Sequence, residues 1–191
     1  MRHELALAGE GFRLRPVGDE DADLIVQLRN DPQRARYLHP GARTRAEQLA
    51  WLAAYYDRPG DYYFAIERRG LGQTEGFAAL YDVDEHMACA EWGRWILRPG
   101  SLAAVESAYL IYRIAFDHLG LRRVYCRTVA ENAAVVAFHD RMGLDRRVLP
   151  AWFDFEGRRM DAVEHTLEAA QWLRLAPMLQ AQCARIARKL G

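Results

Sequence analysis

The sequence predicts an α/β (α+β) fold, in which helices flank a mixed, mostly antiparallel central sheet and a tail helix follows at the C-terminus. Its 191 residues, 51% of them hydrophobic, are enough for one domain with a sizeable core. Three consecutive segments between residues 62 and 97 alternate apolar and polar side chains, which is typical of neighbouring antiparallel strands. A strand, a long helix and another strand then follow within residues 87–129, and such a crossover pairs its two strands in parallel.

The elements of the first half are predicted from periodicity and from helix signals. A first strand lies at residues 12–17, and Asp19 begins a helix that Pro32 ends. A capping box of Thr44 and Glu47 begins a second helix. The three antiparallel strands follow at residues 62–66, 75–83 and 87–97.

The second half begins with the longest helix of the domain. Ser101 is predicted to cap this helix, its apolar positions run from Leu102 to Phe116, and Gly120 ends it. Asn132 caps a shorter helix. The remaining elements are a strand at residues 124–129, strands at residues 146–149 and 159–167 around a turn at Gly157, and the tail helix from residue 168.

Composition and charge exclude several classes of function. The chain has 26 basic and 26 acidic residues, so no net positive charge is available to hold a nucleic-acid backbone. The apolar stretches are too short to span a membrane. Three cysteines, Cys89, Cys126 and Cys183, form no CxxC pair, which favours a cytoplasmic location and argues against a structural metal site.

Two helix starts are candidates for ligand binding. Residues 97–104 lead from a strand into the long helix, and free backbone N–H groups at a helix N-terminus bind phosphate. The alternative is an ordinary helix start. Asn132 either caps its helix or binds a ligand. His139 lies about two turns further along, and it is either a packed residue or a proton carrier.

A carboxylate and a group of aromatic and basic residues are the other candidates. Glu91 lies in an apolar, aromatic strand, where burial would raise the pKa of its carboxyl group and suit it to act as a base. The alternative is a solvent-facing strand position. The second group lies on expected loops or strand ends and comprises Arg29, Tyr37, His39, Tyr81 and Trp152.

The order of elements over residues 12–167 resembles that of the GCN5-related N-acetyltransferases (the GNAT family). The most specific stretch is residues 91–144, where Asn132, Phe138 and His139 are similar to the family's Asn…Leu-Tyr-Glu-x-x-Gly-Phe signature, with His139 at the usual Tyr position. The resemblance implies an acyltransferase that uses acetyl-CoA and no metal. It also implies a GNAT domain at residues 1–167 with a helical extension, residues 168–191, packed on it.

The loop before the long helix departs from the family pattern. Family members normally carry Gln/Arg-x-x-Gly-x-Gly/Ala there, and residues 98–104 lack the central Gly. We still expect the pyrophosphate to bind backbone N–H groups of Ser101, Leu102, Ala103 and Ala104, because N–H groups rather than side chains hold phosphates. Weaker cofactor binding or an altered acyl-CoA is the alternative.

The resemblance implies direct acetyl transfer to a primary amine. His139 would protonate the leaving CoA thiolate, since a histidine titrates near pH 6.5 when unperturbed. Glu91 is our candidate for the base that accepts the amine proton. Asn132 would bind the pantetheine arm, which would run between the parting strands at residues 87–97 and 124–129. The other residues expected along the cofactor are Trp95, Ile96, Leu97 and Phe138.

The acceptor is expected on the opposite side, among Arg29, Tyr37, His39, Tyr81 and Trp152. Residues 28–32 and the helix at residues 47–52 are similar to the N-acetyltransferases of pseudaminic-acid biosynthesis, which acetylate a UDP-linked amino sugar. Ribosomal-protein N-terminal acetyltransferases share these features more loosely. We therefore predict a small-molecule amine acceptor, an amino sugar or a nucleotide-linked one. The alternatives are a protein N-terminus as acceptor and a non-catalytic acyl-CoA-binding module. The amphipathic tail would suit a homodimer interface.

Overall fold

The computed structural model describes residues 3–155 and 157–190, in which eight strands form one sheet. The strands are β1 (Leu7–Ala8), β2 (Phe12–Pro16), β3 (Tyr62–Arg68), β4 (Gln73–Asp84), β5 (Cys89–Leu97), β6 (Arg123–Val129), β7 (Asp145–Phe155) and β8 (Arg158–Glu168). Their order in the sheet is β1-β2-β3-β4-β5-β6-β8-β7. All neighbouring pairs are antiparallel except β5 and β6, which are parallel. The predicted mixed, mostly antiparallel sheet is therefore confirmed.

Helices cover both faces of this sheet. They are α1 (Ala22–Arg29), α2 (Pro32–Ala35), α3 (Arg45–Tyr55), α4 (Ala104–Arg113), α5 (Ala133–Arg141) and α6 (Ala169–Ala187). None of the helices in the described part of the chain is long and apolar enough to cross a membrane. The crossover from β5 to β6 runs through α4, as the sequence predicts.

Two buried clusters show which helices cover which face. Ile25 of α1 and Leu52 of α3 pack with Phe77 of β4, and we call this side the α1/α3 face. Tyr112 of α4 and Trp172 of α6 pack in the cluster on the other side, the α4/α6 face. Because strand side chains alternate between faces, neighbouring residues of one strand point to opposite faces, one toward α1 and α3 and the next toward α4 and α6.

The C-terminal helix α6 is held against α4. The Trp172 ring lies beside Tyr109, Tyr112 and Phe116, with centroid separations of 5.7–6.0 Å, and its Nε1 donates to Asp117 Oδ1 at 2.9 Å. Burial of side chains of this size stabilises a fold by about 1.5–3 kcal/mol each. The division of the chain at residue 167 stays a prediction.

Three local predictions differ from the structure. The long helix begins at Ala104 rather than next to Ser101, because the Ser101 hydroxyl accepts the N–H of Ala103 in a turn that precedes the helix. Pro32 opens the one-turn helix α2, in which its missing N–H costs nothing. The strand predicted at residues 146–149 extends to Phe155, with Ala151 at a positive φ of 49° in an irregular stretch of its pairing.

Candidate active site

The strands β5 and β6 part in the middle of the sheet. Their parallel pairing is confined to three residue pairs, the last of which joins Glu91 to Tyr125, although β5 continues to Leu97 and β6 to Val129. A cleft of about 470 Å³ opens at this point and is lined by residues of both strands. The predicted parting of these strands is thus confirmed. The cleft that it opens connects the two faces of the sheet.

An irregularity in β5 determines which side chains enter the cleft. Gly93 pairs with Ala79, but the next pair is Ile96 with Phe77, so β5 carries one extra residue there. Arg94 accommodates this bulge at a positive φ of 48°. As a result, Trp92 and Trp95 lie on the same face with ring centroids 5.5 Å apart, whereas regular alternation would place them on opposite faces.

His139 projects from α5 to the wall of the cleft on the α4/α6 face. It is 2% exposed and lies against the rings of Trp92 and Trp95, with its Nε2 3.6 Å from Cys126 Sγ. Burial, together with the nearby His165, lowers the pKa of His139 to about 3. The expectation of a histidine that titrates near neutrality is therefore wrong, since the ring is uncharged at pH 7.

Glu91 belongs to a row of polar side chains that crosses five adjacent strands on the α1/α3 face. The Tyr81 hydroxyl donates to its Oε1 at 3.1 Å, and Arg127 Nη1 donates to its Oε2 at 2.6 Å. Arg127 also donates to Glu164, which in turn accepts from Arg147. Burial raises the pKa of Glu91, and Arg127 and the Tyr81 hydroxyl oppose that rise.

Gly93 lets Tyr81 reach Glu91. A Cβ atom at position 93 would lie 2.6 Å from the Tyr81 hydroxyl oxygen, which is closer than real side chains allow. Tyr81 lines the cleft, whereas Glu91 lies behind it. The hydroxyl of Tyr81 therefore stands between Glu91 and whatever occupies the cleft.

The cleft is rich in positive charge. Its lining includes four arginines, Arg29, Arg58, Arg94 and Arg127, and no aspartate or glutamate from the described residues. Arg94 is neutralised by a two-point contact with Asp61, at 2.6 and 2.9 Å, and stacks over Tyr81. Within the described ranges, no carboxylate lies within 4 Å of Arg29 or Arg58.

Aromatic rings form the outer wall of the cleft. His39 stacks on Phe155 with centroids 4.5 Å apart and meets Phe153 edge-on at 5.9 Å. The Tyr37 hydroxyl donates to the carbonyl of Glu131, just before α5, at 2.9 Å. The segment between α2 and α3 is thereby attached to the far side of the cleft.

The structure brings seven of the predicted site residues to the cleft lining. On the expected acceptor side these are Arg29, Tyr37, His39 and Tyr81, and on the expected cofactor side Trp95, Asn132 and His139. Asn132 occupies the N-cap position of α5, but its side chain makes no capping hydrogen bond, which leaves the amide available to a ligand.

Several predicted residues lie outside the lining. Ile96 is buried under α1 and α3, because the extra residue in β5 directs it there, and Phe138 packs behind Trp95 at 4.8 Å. Trp152 is 48% exposed and covers the outer side of Arg127. Leu97 and the turn of Ser101, Leu102, Ala103 and Ala104 continue from the cleft toward α4, with Gly100 at a positive φ of 75°.

Sequence reasoning missed several lining residues, among them Trp51, Arg58, Arg94, Cys126, Arg127, Phe153 and Phe155. The period of two at Phe153 and Phe155 was a usable signal for a strand with both rings on one face. Nothing in the sequence marks Arg94 as a residue with positive φ, because such a conformation is uncommon outside glycine.

Comparison with known proteins agrees with this architecture. The family described as Acetyltransferase (GNAT) domain matches residues 12–145. A GCN5-related N-acetyltransferase from Brucella melitensis is 25% identical, with a TM-score of 0.81 over 94% of this chain and 85% of that one. FdhC, described as a nucleotide-linked sugar GNAT, is 26% identical, with a TM-score of 0.77 over 92% of this chain and 97% of that one.

A third solved structure shares the fold at lower identity. The spermidine N-acetyltransferase SpeG from Vibrio cholerae is 19% identical, with a TM-score of 0.74 over 85% of this chain and 96% of that one. No curated protein matches the sequence.

The sheet that parts at β5 and β6, with its cleft, defines an acyltransferase. The chain belongs to the GNAT acetyltransferase family, whose members use acetyl-CoA as co-substrate.

Proposed function

We propose that the protein transfers an acetyl group from acetyl-CoA to the primary amine of an anionic small molecule, an amino sugar or, better matched, a nucleotide-linked amino sugar. The observation that carries this proposal is the lining of the cleft, which contains four arginines and several aromatic rings but no carboxylate from the described residues. Arginine binds phosphate through paired hydrogen bonds, and aromatic rings stack on a nucleobase.

The same charge distribution argues against a polyamine acceptor. A polycation would need carboxylates in the cleft, whereas Arg29 and Arg58 are cationic groups without a carboxylate within 4 Å in the described chain. Arg94 and Arg127 are already engaged with acidic partners and have less charge to offer. Arg29 and Arg58 are therefore our candidates for the diphosphate of the acceptor.

The likeness to FdhC supports a nucleotide-linked sugar, since the two chains match over almost their whole lengths. The short motifs around Arg29 and Trp51 supply the more specific hypothesis of an enzyme like those of pseudaminic-acid biosynthesis. We assign contacts with the base or the sugar to four aromatic side chains that line the cleft, those of Tyr37, His39, Phe153 and Phe155.

Acetyl transfer begins with loss of a proton from the amine. We assign Glu91 as the base and Tyr81 as the group through which it acts. The Tyr81 hydroxyl oxygen accepts the amine proton as its own proton passes to Glu91 Oε1, 3.1 Å away. The nitrogen then attacks the thioester carbonyl, and backbone N–H groups near Trp95 to Leu97 stabilise the oxyanion.

The tetrahedral adduct then expels CoA. The C–S bond breaks and the sulfur leaves with the electron pair, while the neutral His139 accepts the extra proton from the nitrogen of the adduct and passes it to the sulfur. Asn132 and Trp95 bind the pantetheine arm beside Leu97, and the backbone of Ser101, Leu102, Ala103 and Ala104 holds the pyrophosphate. Ile96 and Phe138 support this side from behind.

A free-thiol assay with acetyl-CoA tests the proposal. The acceptor panel contains amino sugars, UDP-linked amino sugars, polyamines and peptides with a free N-terminus. We expect the highest kcat/KM with a UDP-linked amino sugar and little turnover of spermidine. Preference for a peptide would favour the N-terminal acetyltransferase instead. Calorimetric binding of acetyl-CoA without turnover of any amine would favour the non-catalytic module, which the loop at residues 98–104 motivates.

Two further properties belong to this proposal. We infer a homodimer, because α6 exposes 76% of Leu173 and 61% of Met178 on the side away from α4. Light scattering after gel filtration gives the mass in solution, and a monomer would contradict it. We also infer a cytoplasmic enzyme, because Cys89, Cys126 and Cys183 are all free thiols.

A further inference from the structure

An ion pair on the α1/α3 face joins the strands on either side of β4. Asp61 directly precedes β3, Arg94 belongs to β5, and β4 lies between those two strands in the sheet. Nη1 and Nη2 of Arg94 donate to the two carboxylate oxygens of Asp61, at 2.6 and 2.9 Å. Only 21% of the Arg94 side chain and 8% of the Asp61 side chain are exposed. The pair is therefore a largely buried connection across β4.

The guanidinium group of this pair lies over the ring of Tyr81, which belongs to β4. The Cζ atom of Arg94 is 4.6 Å from the centroid of the Tyr81 ring, and 5.3 and 5.7 Å from the centroids of Trp51 and Tyr63. A guanidinium group is attracted to the face of an aromatic ring, and its planar shape suits stacking. Arg94 thus holds the ring of Tyr81, whereas the hydrogen bond to Glu91 holds only its hydroxyl end.

The placement of Arg94 costs free energy that the stability of the fold does not explain. Arg94 has a positive φ of 48°, which is unfavourable for a residue with a Cβ atom. A buried ion pair, moreover, is often no more stabilising than apolar side chains of the same volume. Backbone strain of this kind clusters at functional sites, and Arg94 lines the cleft.

We infer that Asp61 and Arg94 are positioning residues for Tyr81, which they hold where its hydroxyl group connects the cleft with Glu91. The inference rests on the proposed function, in which the Tyr81 hydroxyl accepts the amine proton while its own proton passes to Glu91. Neither Asp61 nor Arg94 takes up or releases a proton in that step. Asp61 acts only through Arg94, because it lies outside the cleft lining.

The proton transfer depends on the direction of the Tyr81 side chain. The hydroxyl oxygen lies at the far end of the ring, so a rotation of the side chain moves this atom the furthest. It is 3.1 Å from Glu91 Oε1, whereas hydrogen bonds between two oxygen atoms are usually about 2.5–3.0 Å long. A small further displacement would break the bond, and a misplacement of about 1 Å can slow a reaction on the order of a hundredfold.

The electrostatic surroundings of Tyr81 are consistent with this role. Burial and the carboxylate of Glu91 raise the pKa of Tyr81, and the nearby Arg94 opposes that rise. The hydroxyl group therefore carries its proton at neutral pH and donates it to Glu91. What Arg94 contributes is the placement of this donor.

Substitutions of the ion pair test the inference in the full-length enzyme, with acetyl-CoA and the most active amine of the panel. For Arg94→Gln we expect kcat to fall about tenfold, while the KM values for the amine and for acetyl-CoA stay within about twofold of the parent. Arg94→Lys should lose as much, because an ammonium group keeps the charge but forms neither the two-point contact nor a planar stack. Parent-like turnover in Arg94→Lys would overturn the inference, since charge alone would then suffice.

A double-mutant cycle separates positioning from direct contact with the acceptor. In a Tyr81→Phe background, Arg94→Gln should cause no further loss of kcat, because the hydroxyl group that Arg94 positions is already absent. Additive losses, or a raised KM for the amine, would overturn the inference and place Arg94 against the acceptor itself. Arg45→Gln is the matched control and should keep the parent kcat, because Arg45 pairs with Asp23 at 3.2 Å in an exposed ion pair outside the cleft.

A crystal structure of Arg94→Gln tests the inference without turnover. The Tyr81 hydroxyl should lie beyond hydrogen-bond distance of Glu91, and an unmoved hydroxyl would overturn the inference. Circular dichroism checks that the variant folds. If it does not fold, Asp61→Asn, which keeps the shape of the side chain but releases the guanidinium group, supplies the same kinetic and structural measurements. Failure of the parent enzyme with every amine would instead contradict the proposed function.

Discussion

The hydroxyl group of Tyr81 donates a 3.1 Å hydrogen bond to Glu91, while the other carboxylate oxygen of Glu91 accepts from Arg127 at 2.6 Å. Because Glu91 does not itself line the cleft, it reaches substrate through one of these partners. Tyr81 is the partner that lines the cleft, and the absence of a side chain at Gly93 gives its hydroxyl the space to do so.

Gly93→Ala is expected to reduce kcat about tenfold, because the new Cβ would displace the Tyr81 hydroxyl from Glu91. Tyr81→Phe should have a similar effect. The double variant should be no worse than either single one, since both changes remove the same hydrogen bond. Steady-state kinetics of the parent and the three variants complete this double-mutant cycle. Additive losses of kcat would show that Gly93 does not act through the Tyr81 hydroxyl.

Glu91→Gln should lower kcat by about two orders of magnitude near neutral pH. The ratio of parent to variant rates should be largest at low pH within the range where Glu91 is ionised, and it should shrink as alkali deprotonates the amine without help. Arg147→Gln, which changes only the outer end of the row, is the control. A pH–rate profile parallel to that of the parent would exclude Glu91 as the base.

His139→Phe should lower kcat about tenfold to a hundredfold with little change in acetyl-CoA affinity. Phenylalanine preserves the packing against Trp92 and Trp95 but cannot donate a proton. Thiol release gives kcat, and calorimetry gives Kd. Unchanged turnover would remove the role of His139 as an acid.

The same variant should be more resistant to acid. His139 has a pKa of about 3 in the folded protein and an ordinary value near 6.5 in the unfolded chain. The unfolded chain therefore binds a proton that the folded state does not, and stability is lost as the pH falls from about 6.5 toward 3. Urea unfolding of parent and variant at pH 7 and pH 5 measures this, and equal losses would contradict it.

Arg29→Gln and Arg58→Gln should each raise the KM for a UDP-linked amino sugar about tenfold, which is the expected loss of one charge-assisted hydrogen bond. The KM for acetyl-CoA should stay unchanged. Arg45→Gln is the control, because Arg45 makes an exposed ion pair with Asp23 outside the cleft. An unchanged acceptor KM in both cleft variants would place the anionic group of the acceptor elsewhere.

Local sequence patterns were sufficient to predict most of the helices and strands and seven of the residues that line the cleft. The capping box at Thr44 and Glu47 fixed the start of α3, since the Thr44 hydroxyl does accept the N–H of Glu47. Asn132 and His139 were found through the family signature and its spacing, both of which can be recognised before the fold is known. The start of α4 was misplaced because Ser101 caps a turn as readily as a helix.

Other site features arise only when distant strands meet. The row of polar side chains comprises Tyr81, Glu91, Arg127 and Glu164, which lie on four different strands. No short stretch of the sequence therefore contains the whole row. The protonation state of His139 likewise depends on His165, 26 positions away by sequence number, and on burial that the helix pattern does not reveal.

The extra residue at Arg94 also constrains how this protein can change. Straightening β5 with all of its residues kept would turn the Trp95 indole toward α1 and α3 and withdraw it from Phe138 and Ser107. Deletion of Arg94 would instead leave Trp95 and Ile96 on the faces that they occupy now, and would remove only the side chain that pairs with Asp61 and stacks over Tyr81. The length of β5 can therefore change at this one position without exchanging the donor and acceptor sides of the cleft.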